Sequence, residues 1–386
     1  MTTARLKDEA RKIVERNRDG LVGLSHRIHA NPELGFEERQ SSEWVADALA
    51  GAGFQVTKPA FDLETAFVAR AGDGPMHIAI CAEYDALPGI GHACGHNVIA
   101  SAAVAAGIAL AQLASEVGIT VFVIGTPAEE RGDASGKILL LERGAFNGMH
   151  AAMMVHPAPV DAAMPPMSAA ALFDVHYTGK EAHAAAWPQL GINAADALVV
   201  AQTGIGLLRQ HIDPTDRVHG IVTKGGDAPN VVPAHTSARY MVRSNKIEQL
   251  QSLRDRVMRC FEAGALATGA TMTTDGGYSP YAQVEHDPSL AATYQTNAVE
   301  LGRSFTELDR PSGSTDMGNV SLVIPSIHPF IGIDSLPAVN HQPEFAACSA
   351  RPPADRAVVD GGVAMAWTAL DIATDELQRD RLLSRS

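Results

Sequence analysis

Three short, almost uninterrupted apolar runs set the frame for this chain: HIAICA (77–82), TVFVIG (120–125) and AAMMVH (151–156). Runs of this length, bounded by Gly, Pro and acidic residues, suit strands buried on both faces of a parallel sheet, where neither face meets water and alternation is lost. An Ala-rich helical stretch (98–114) separates the first two, and a shorter one (137–143) the second and third. Strand–helix–strand alternation predicts an α/β core with right-handed crossovers.

The pattern changes after the Pro-rich stretch at Met164 to Met167. ALFDVHYTG alternates, a helical segment follows at 192–209, then come RVHGIVTKGG, HTSARYMVRS, a second helix at 246–267 and a strand at 270–275. That β-α-β-β-α-β order is the split-βαβ, ferredoxin-like α+β arrangement. From 286 the chain returns to helix, strand (IHPFIGI) and a long C-terminal helix at 353–373, and two helical segments (4–30, 40–52) precede the first run. The economical reading is a discontinuous, parallel-core α/β domain, 1–168 and 286–386, interrupted by a smaller inserted domain, 169–285. A length of 386 residues agrees with two domains.

Composition narrows the partners. Lys and Arg number 30 against 44 Asp and Glu, a net charge of −14 that argues against tracking phosphates, so nucleic acid and anionic membranes are poor partners. Four scattered cysteines form no CxxC pair and no disulfide framework. The charged N-terminus lacks the apolar core of a signal peptide, and Val98 to Leu113 reads as too short and too Ala-rich to span a bilayer. A cytoplasmic location is expected.

Ligands of a parallel α/β sheet bind beyond the carboxyl ends of its strands. Here Glu83-Tyr84-Asp85 and then GIGHACGHN, with His92, Cys94 and His96, follow the first run; Thr126-Pro127-Ala128-Glu129-Glu130 follows the second; His156-Pro157 ends the third. Imidazole, carboxylate and thiol are the ligand vocabulary of zinc and related metals. Adjacent Glu129 and Glu130 suit a division in which one binds metal and the other stays free as a general base. A further His in VNHQPEF can close the site. Taken singly, Cys94 reads as a small buried apolar residue, His156 as a core histidine, and the Glu pair as a solvated turn or helix start. Their convergence on one sheet edge favours the metal site.

The motifs HRIHANPELGFEE, CAEYDALPGIGHACGHN, GTPAEE, MMVHP, GKEAHAAAWPQLGINAADA, RVHGIVTKGGDAPNVVP, PSGSTDMGNVS and VNHQPEF run in order over residues 26–345. Together they resemble the metal-dependent aminoacylase and carboxypeptidase G-like peptidase family, most of all its branch of aminobenzoyl-glutamate hydrolases and acylase-like dipeptidases. The resemblance implies a catalytic domain with two divalent ions, Zn2+ or Mn2+, interrupted by a lid and dimerisation domain. It assigns Cys94, His96, Glu130, His156 and His341 as metal ligands, Glu129 as general base, and Asp85 as the acid that orients a ligand. In the lid it implies that His183 and Asn230 reach the reacting carbonyl, the histidine from the partner subunit of a homodimer, and that Arg243 grips a substrate carboxylate. Two positions depart from better-known members: Cys94 stands where they bridge the metals with Asp, and Asn97 where many have Asp.

The expected reaction is hydrolysis of the amide bond of a small N-acyl amino acid or dipeptide with a free carboxylate, by metal-activated water with Glu129 as base. The competing class is a non-catalytic metal-binding or interaction protein on the same scaffold, against which the full ligand set and the base argue. A dinucleotide-binding dehydrogenase fails for want of GxGxxG after the first run. Among the remaining residues, Arg131 reads as a solvated loop cation or, alternatively, as a selector of an acidic or carboxylate-bearing substrate, His26 and His29 as packing or capping residues, and His211 and His235 as surface residues. His219 stays open, and loop 311–319 reads equally as an anion-binding loop or a plain turn.

Overall fold

The computed structural model describes residues 2–385 apart from 133 and 278. Its strands are β1 (Gln55–Thr57), β2 (Phe67–Gly72), β3 (Met76–Ala82), β4 (Ile119–Gly125), β5 (Ala151–Met153), β6 (His156–Ala158), β7 (Ala169–Thr178), β8 (Arg217–Lys224), β9 (His235–Ser244), β10 (Thr271–Gly276), β11 (Ser326–Ile327) and β12 (Phe330–Gly332). The first two apolar runs become β3 and β4, parallel neighbours at the centre of a six-stranded sheet of order β1-β2-β4-β3-β5-β11. Nearly every residue of β3 and β4 is buried, because helices cover both faces. The strands β3, β4, β5 and β11 are mutually parallel where they pair, as expected for the α/β core.

Two features of this sheet differ from the sequence reading. The sheet extends past β4 through antiparallel β2 and β1, which the polar-interrupted FVARAG segment gave little sign of. The third run breaks after Met153, and its end forms β6, which leaves the main sheet to pair with β12. His156 is thereby carried on a short separate ribbon.

The Ala-rich stretch folds as the helix His96–Val117, longer than expected and packed against the C-terminal helix Pro352–Thr374. Both are long and apolar enough to cross a membrane by length and composition, which corrects the reading of Val98 to Leu113. Both are largely buried in the protein, their small residues allowing close approach: a Cβ on Gly362 would lie 2.4 Å from Ala105 Cβ.

The second sheet has the order β10-β7-β9-β8, all antiparallel, with the helices Ala194–Leu208 and Ile247–Thr268 on one face. With connections β-α-β-β-α-β this is the ferredoxin-like arrangement. Its own buried cluster includes Phe173, Tyr177, Tyr240, Val257 and Phe261. β8 is an edge strand, exposed along nearly its whole length.

Candidate active site

Each group reaches the site from the end of a buried strand or the loop after it. The loop after β3 turns through Gly95 (φ +79°), where a Cβ would lie 2.4 Å from Pro157 Cγ, so only glycine lets Cys94 and His96 stand on either side of that turn. His96 opens its helix and donates from Nδ1 to Asp85 Oδ1 at 2.9 Å, which leaves Nε2 facing the cluster. The second Asp85 oxygen accepts from Glu130 N at 2.9 Å, so one carboxylate holds two neighbouring elements. His156 donates from Nδ1 to Pro157 O (2.9 Å) and points Nε2 at Cys94 Sγ, 3.4 Å away. His341 is held at φ +68°, its N–H bonded to Ala93 O, and its Nε2 lies 3.5 Å from both Cys94 Sγ and Glu130 Oε1.

Cys94, His96 and His156 form one set of potential metal-binding atoms within 4.8 Å of one another; Cys94, Glu130 and His341 form a second, and His96, Glu129 and Glu130 a third. The structure thus brings all five expected ligands together, with Glu129 beside them. The turn that carries Glu129 and Glu130 (Glu129–Arg131) is pinned by Tyr281, whose hydroxyl donates to Glu129 O and accepts from Gly132 N at 3.0 Å.

Burial raises the Glu129 carboxyl well above its usual range, and Glu130, Glu83 and Asp316 push it further. Burial works the same way on Glu130, but hydrogen bonding to His341 and the charge of His96 bring it below the usual value. Burial disfavours charge on His96 too, and Asp85 overrides it, raising the imidazole. His156, with no such acid, falls to about 4 through burial. Burial and then Glu130 keep the Cys94 thiol protonated well above its ordinary range, a preference that an adjacent cation reverses.

These residues fit a metal centre on their own chemistry. Two buried atoms in this cluster, His96 Nε2 and Glu83 Oε2, have no hydrogen-bond partner among the described residues. Bare buried polar atoms call for an occupant, and a mixed N, S and O donor set suits a divalent transition metal.

The site opens into a cavity of about 1010 Å³ whose wall includes Cys94, Glu129, Glu130, His156, His341 and Arg243. Arg243, on β9, donates from Nη1 to Ser314 Oγ at 2.8 Å, and loop 311–319 contributes Ser312 to Thr315 to the same wall. His183 and Asn230 are not on that wall. They lie together and exposed on the second sheet's flank, where Ala184 N bonds to Asn230 O at 3.0 Å. His183 Nδ1 accepts from Ala185 N and Ala186 N, so its Nε2 carries the proton and is left as the donor.

Of the residues weighed beside the site, Arg131 stacks near the Phe36 ring, His26 meets Asp355 at 2.7 Å and His29 meets Ala346 O at 2.7 Å. His211, His219 and His235 are exposed. Sequence reasoning missed Lys137, Asp316, Tyr281 and Asn340, and gave Glu83 no role. Lys137 reads as a solvated first-turn lysine in GKILLLE, yet it is fully buried against partners 54 and 179 positions away. Asn340 donates to Pro157 O at 3.1 Å, and its place directly before His341 was the available signal.

Residues 79–351 match the model of peptidase family M20/M25/M40. The Xaa-Arg dipeptidase of Mus musculus is 39% identical over 387 residues, covering 95% of this chain and 89% of the relative. A p-aminobenzoyl-glutamate hydrolase polypeptide of Escherichia coli K12 is 35% identical over 280 residues, covering 67% of this chain and 58% of the relative. Among solved structures, a dinuclear metal-binding peptidase from the M20 family of Bacillus subtilis superposes with a TM-score of 0.69 at 22% identity, covering 92% of this chain and 99% of that one.

Proposed function

The chain belongs to peptidase family M20/M25/M40 and is an amide-hydrolysing enzyme of the metallopeptidase type, and on that premise we propose that it cleaves a small N-acyl amino acid or dipeptide bearing a free carboxylate. The observation that carries the reading is the convergence of five potential metal ligands beside a buried Glu129, with Cys94, Glu129, Glu130, His156, His341 and Arg243 on the wall of one cavity. Cys94, His96, Glu130, His156 and His341 would hold two divalent ions, Zn2+ or Mn2+, which when bound supply Lewis acidity and lower the pKa of water.

The chain's own residues divide the remaining work. Glu129, held by burial and neighbouring carboxylates in a state that readily accepts a proton, takes one from the attacking water and returns it to the leaving amine. Asp85 fixes the tautomer of His96, and the Pro157 carbonyl does the same for His156. Arg243, braced by Ser314, receives the substrate carboxylate through its planar fork.

His183 is the oxyanion donor in this reading: its Nε2–H has no hydrogen-bond partner among the described residues, and removal of such a donor typically costs about 10²–10³ in kcat. Because it lies outside its own chain's cavity, it serves the partner subunit of a homodimer. The joint we propose is the second sheet, whose edge strand β8 is exposed and whose neighbouring Ile221, Val199 and Leu207 are 65%, 59% and 71% exposed.

A screen of N-acyl amino acids and dipeptides, run with metal analysis before and after chelation, tests the reading. Expected are about two ions per chain, hydrolysis of at least one compound class, its loss on chelation and its return with Zn2+ or Mn2+. Equal rates in chelated and loaded protein would sink it.

A further inference from the structure

Behind the site lies a fully buried lysine that the hydrolysis described above does not use. Lys137 Nζ meets Glu83 Oε1 at 2.5 Å and Asp316 Oδ1 at 2.6 Å, and none of the three side chains is exposed. The other Asp316 oxygen accepts from Lys137 N at 2.9 Å and from Ser135 Oγ at 2.8 Å. Taking an ammonium out of water is costly and is offset only by complete pairing, and an apolar residue of similar volume would often fill such a place as well. Glu83 follows β3, Lys137 lies in the first turn of the helix after the Glu129 turn, and Asp316 ends the loop that leads into the helix Met317–Ser321. The network therefore joins three separate segments.

Each end of it leads to a working part. Glu83 Oε2 is 3.5 Å from His96 Nε2, and the Gly136–Glu142 helix that bears Lys137 is the continuation of the segment carrying Glu129. Asp316 is two residues from Ser314, which receives Arg243 Nη1 and faces the cavity. Tyr281 braces the Glu129 turn from the other side.

We propose that Lys137 is a positioning residue that fastens the loop that braces the carboxylate grip to the segment carrying Glu129, so that a substrate held at Arg243 meets the base in fixed register. The inference rests on the hydrolase reading with Glu129 as base. Lys137 touches no substrate in this scheme. Cutting the network loosens the register without removing a binding group, which lowers kcat and leaves KM nearly unchanged.

Lys137→Met alone strands two buried carboxylates, so the paired variant Lys137→Met/Asp316→Asn, which keeps the cluster's net charge, is the main test. Ser314→Ala approaches the same chain of contacts from its far end. Kinetics of the metal-loaded full chain are measured on a compound the wild type hydrolyses, with metal content and thermal midpoint recorded for each variant. In the paired variant kcat is expected to fall about 100-fold with KM within about threefold of wild type and metal content unchanged. Ser314→Ala is expected to lower kcat about tenfold and to add little to the paired variant, as sites in one network do.

An unchanged kcat in a folded, metal-replete paired variant overturns the inference, and so does a loss confined to KM. If the paired variant does not fold, Ser314→Ala decides: a change in KM alone overturns the inference, and a change in kcat supports it. An active wild type with unaffected variants removes this inference alone. A wild type that hydrolyses none of the compounds removes the hydrolase reading and the inference with it.

Discussion

In the six-stranded sheet the central strands are covered on both faces, and the groups at their ends answer one another within a single chain. In the four-stranded sheet the edge strand β8 is exposed, apolar residues on the adjoining helix are exposed, and His183 is exposed and is not on the wall of its own cavity. The first region is preorganised: Asp85, Glu38, Tyr281 and Lys137 each hold a loop of the site by direct bonds. The second presents ready groups and an unfinished surface. What the difference teaches is where to look for assembly and where for chemistry.

The sharpest break would come from Glu129. Glu129→Gln is expected to lower hydrolysis by about 10³-fold or more while the bound metal stays, as assayed by turnover and metal analysis on one preparation. Retained turnover would move the chemistry out of the first region altogether.

His183 probes the second region. His183→Ala is expected to lower kcat about 10²-fold without shifting the thermal midpoint, since the side chain is exposed. Mixing and re-equilibrating Glu129→Gln with His183→Ala protomers should then restore about a quarter of wild-type activity, because half of randomly paired dimers hold one intact composite site. No recovery in a mixture proven to exchange subunits would place His183 in its own chain's site or outside catalysis.

A smaller effect is expected from the edge itself. Ile221→Lys puts charge on β8, a device that blocks strand edges, and should shift sedimentation toward monomer and lower activity in parallel. Activity that persists in a monomer would dissolve the contrast between the regions.

The smallest concerns stability in the first region. Glu38 is buried, bonded to Ala128 N, and raised to about 7 by burial and then by Asp85. A carboxyl raised above its unfolded value favours folding below that value and loses the advantage as pH rises toward its folded value. Wild type should therefore lose stability between about pH 4.5 and 7 relative to Glu38→Gln, by about 1–3 kcal/mol, in urea unfolding of metal-free protein. Parallel pH profiles for the two proteins would show that Glu38 is not the titrating group.

The main architecture was legible because periodicity is a local signal: the runs at 77–82 and 120–125 became β3 and β4, and the 169–276 segment alternated as its strands require. The candidate ligands were legible for a related reason, since each follows an apolar run or stands in an ordered motif. The antiparallel addition of β2 was not, because Arg70 and the final Gly interrupt its pattern. Nor was the Lys137 network. A lysine beside three leucines looks like an amphipathic helix start, and only the fold brings it to Glu83 and Asp316.

The open edge at β8 has a consequence for how activity depends on quantity. If each site draws His183 from a second copy, catalytic output is a second-order property of the chain's abundance wherever its concentration falls below the dimer's dissociation constant. Halving the protein there would remove about three quarters of the turnover, and dilution into an assay would show as a rate that decays while subunits part.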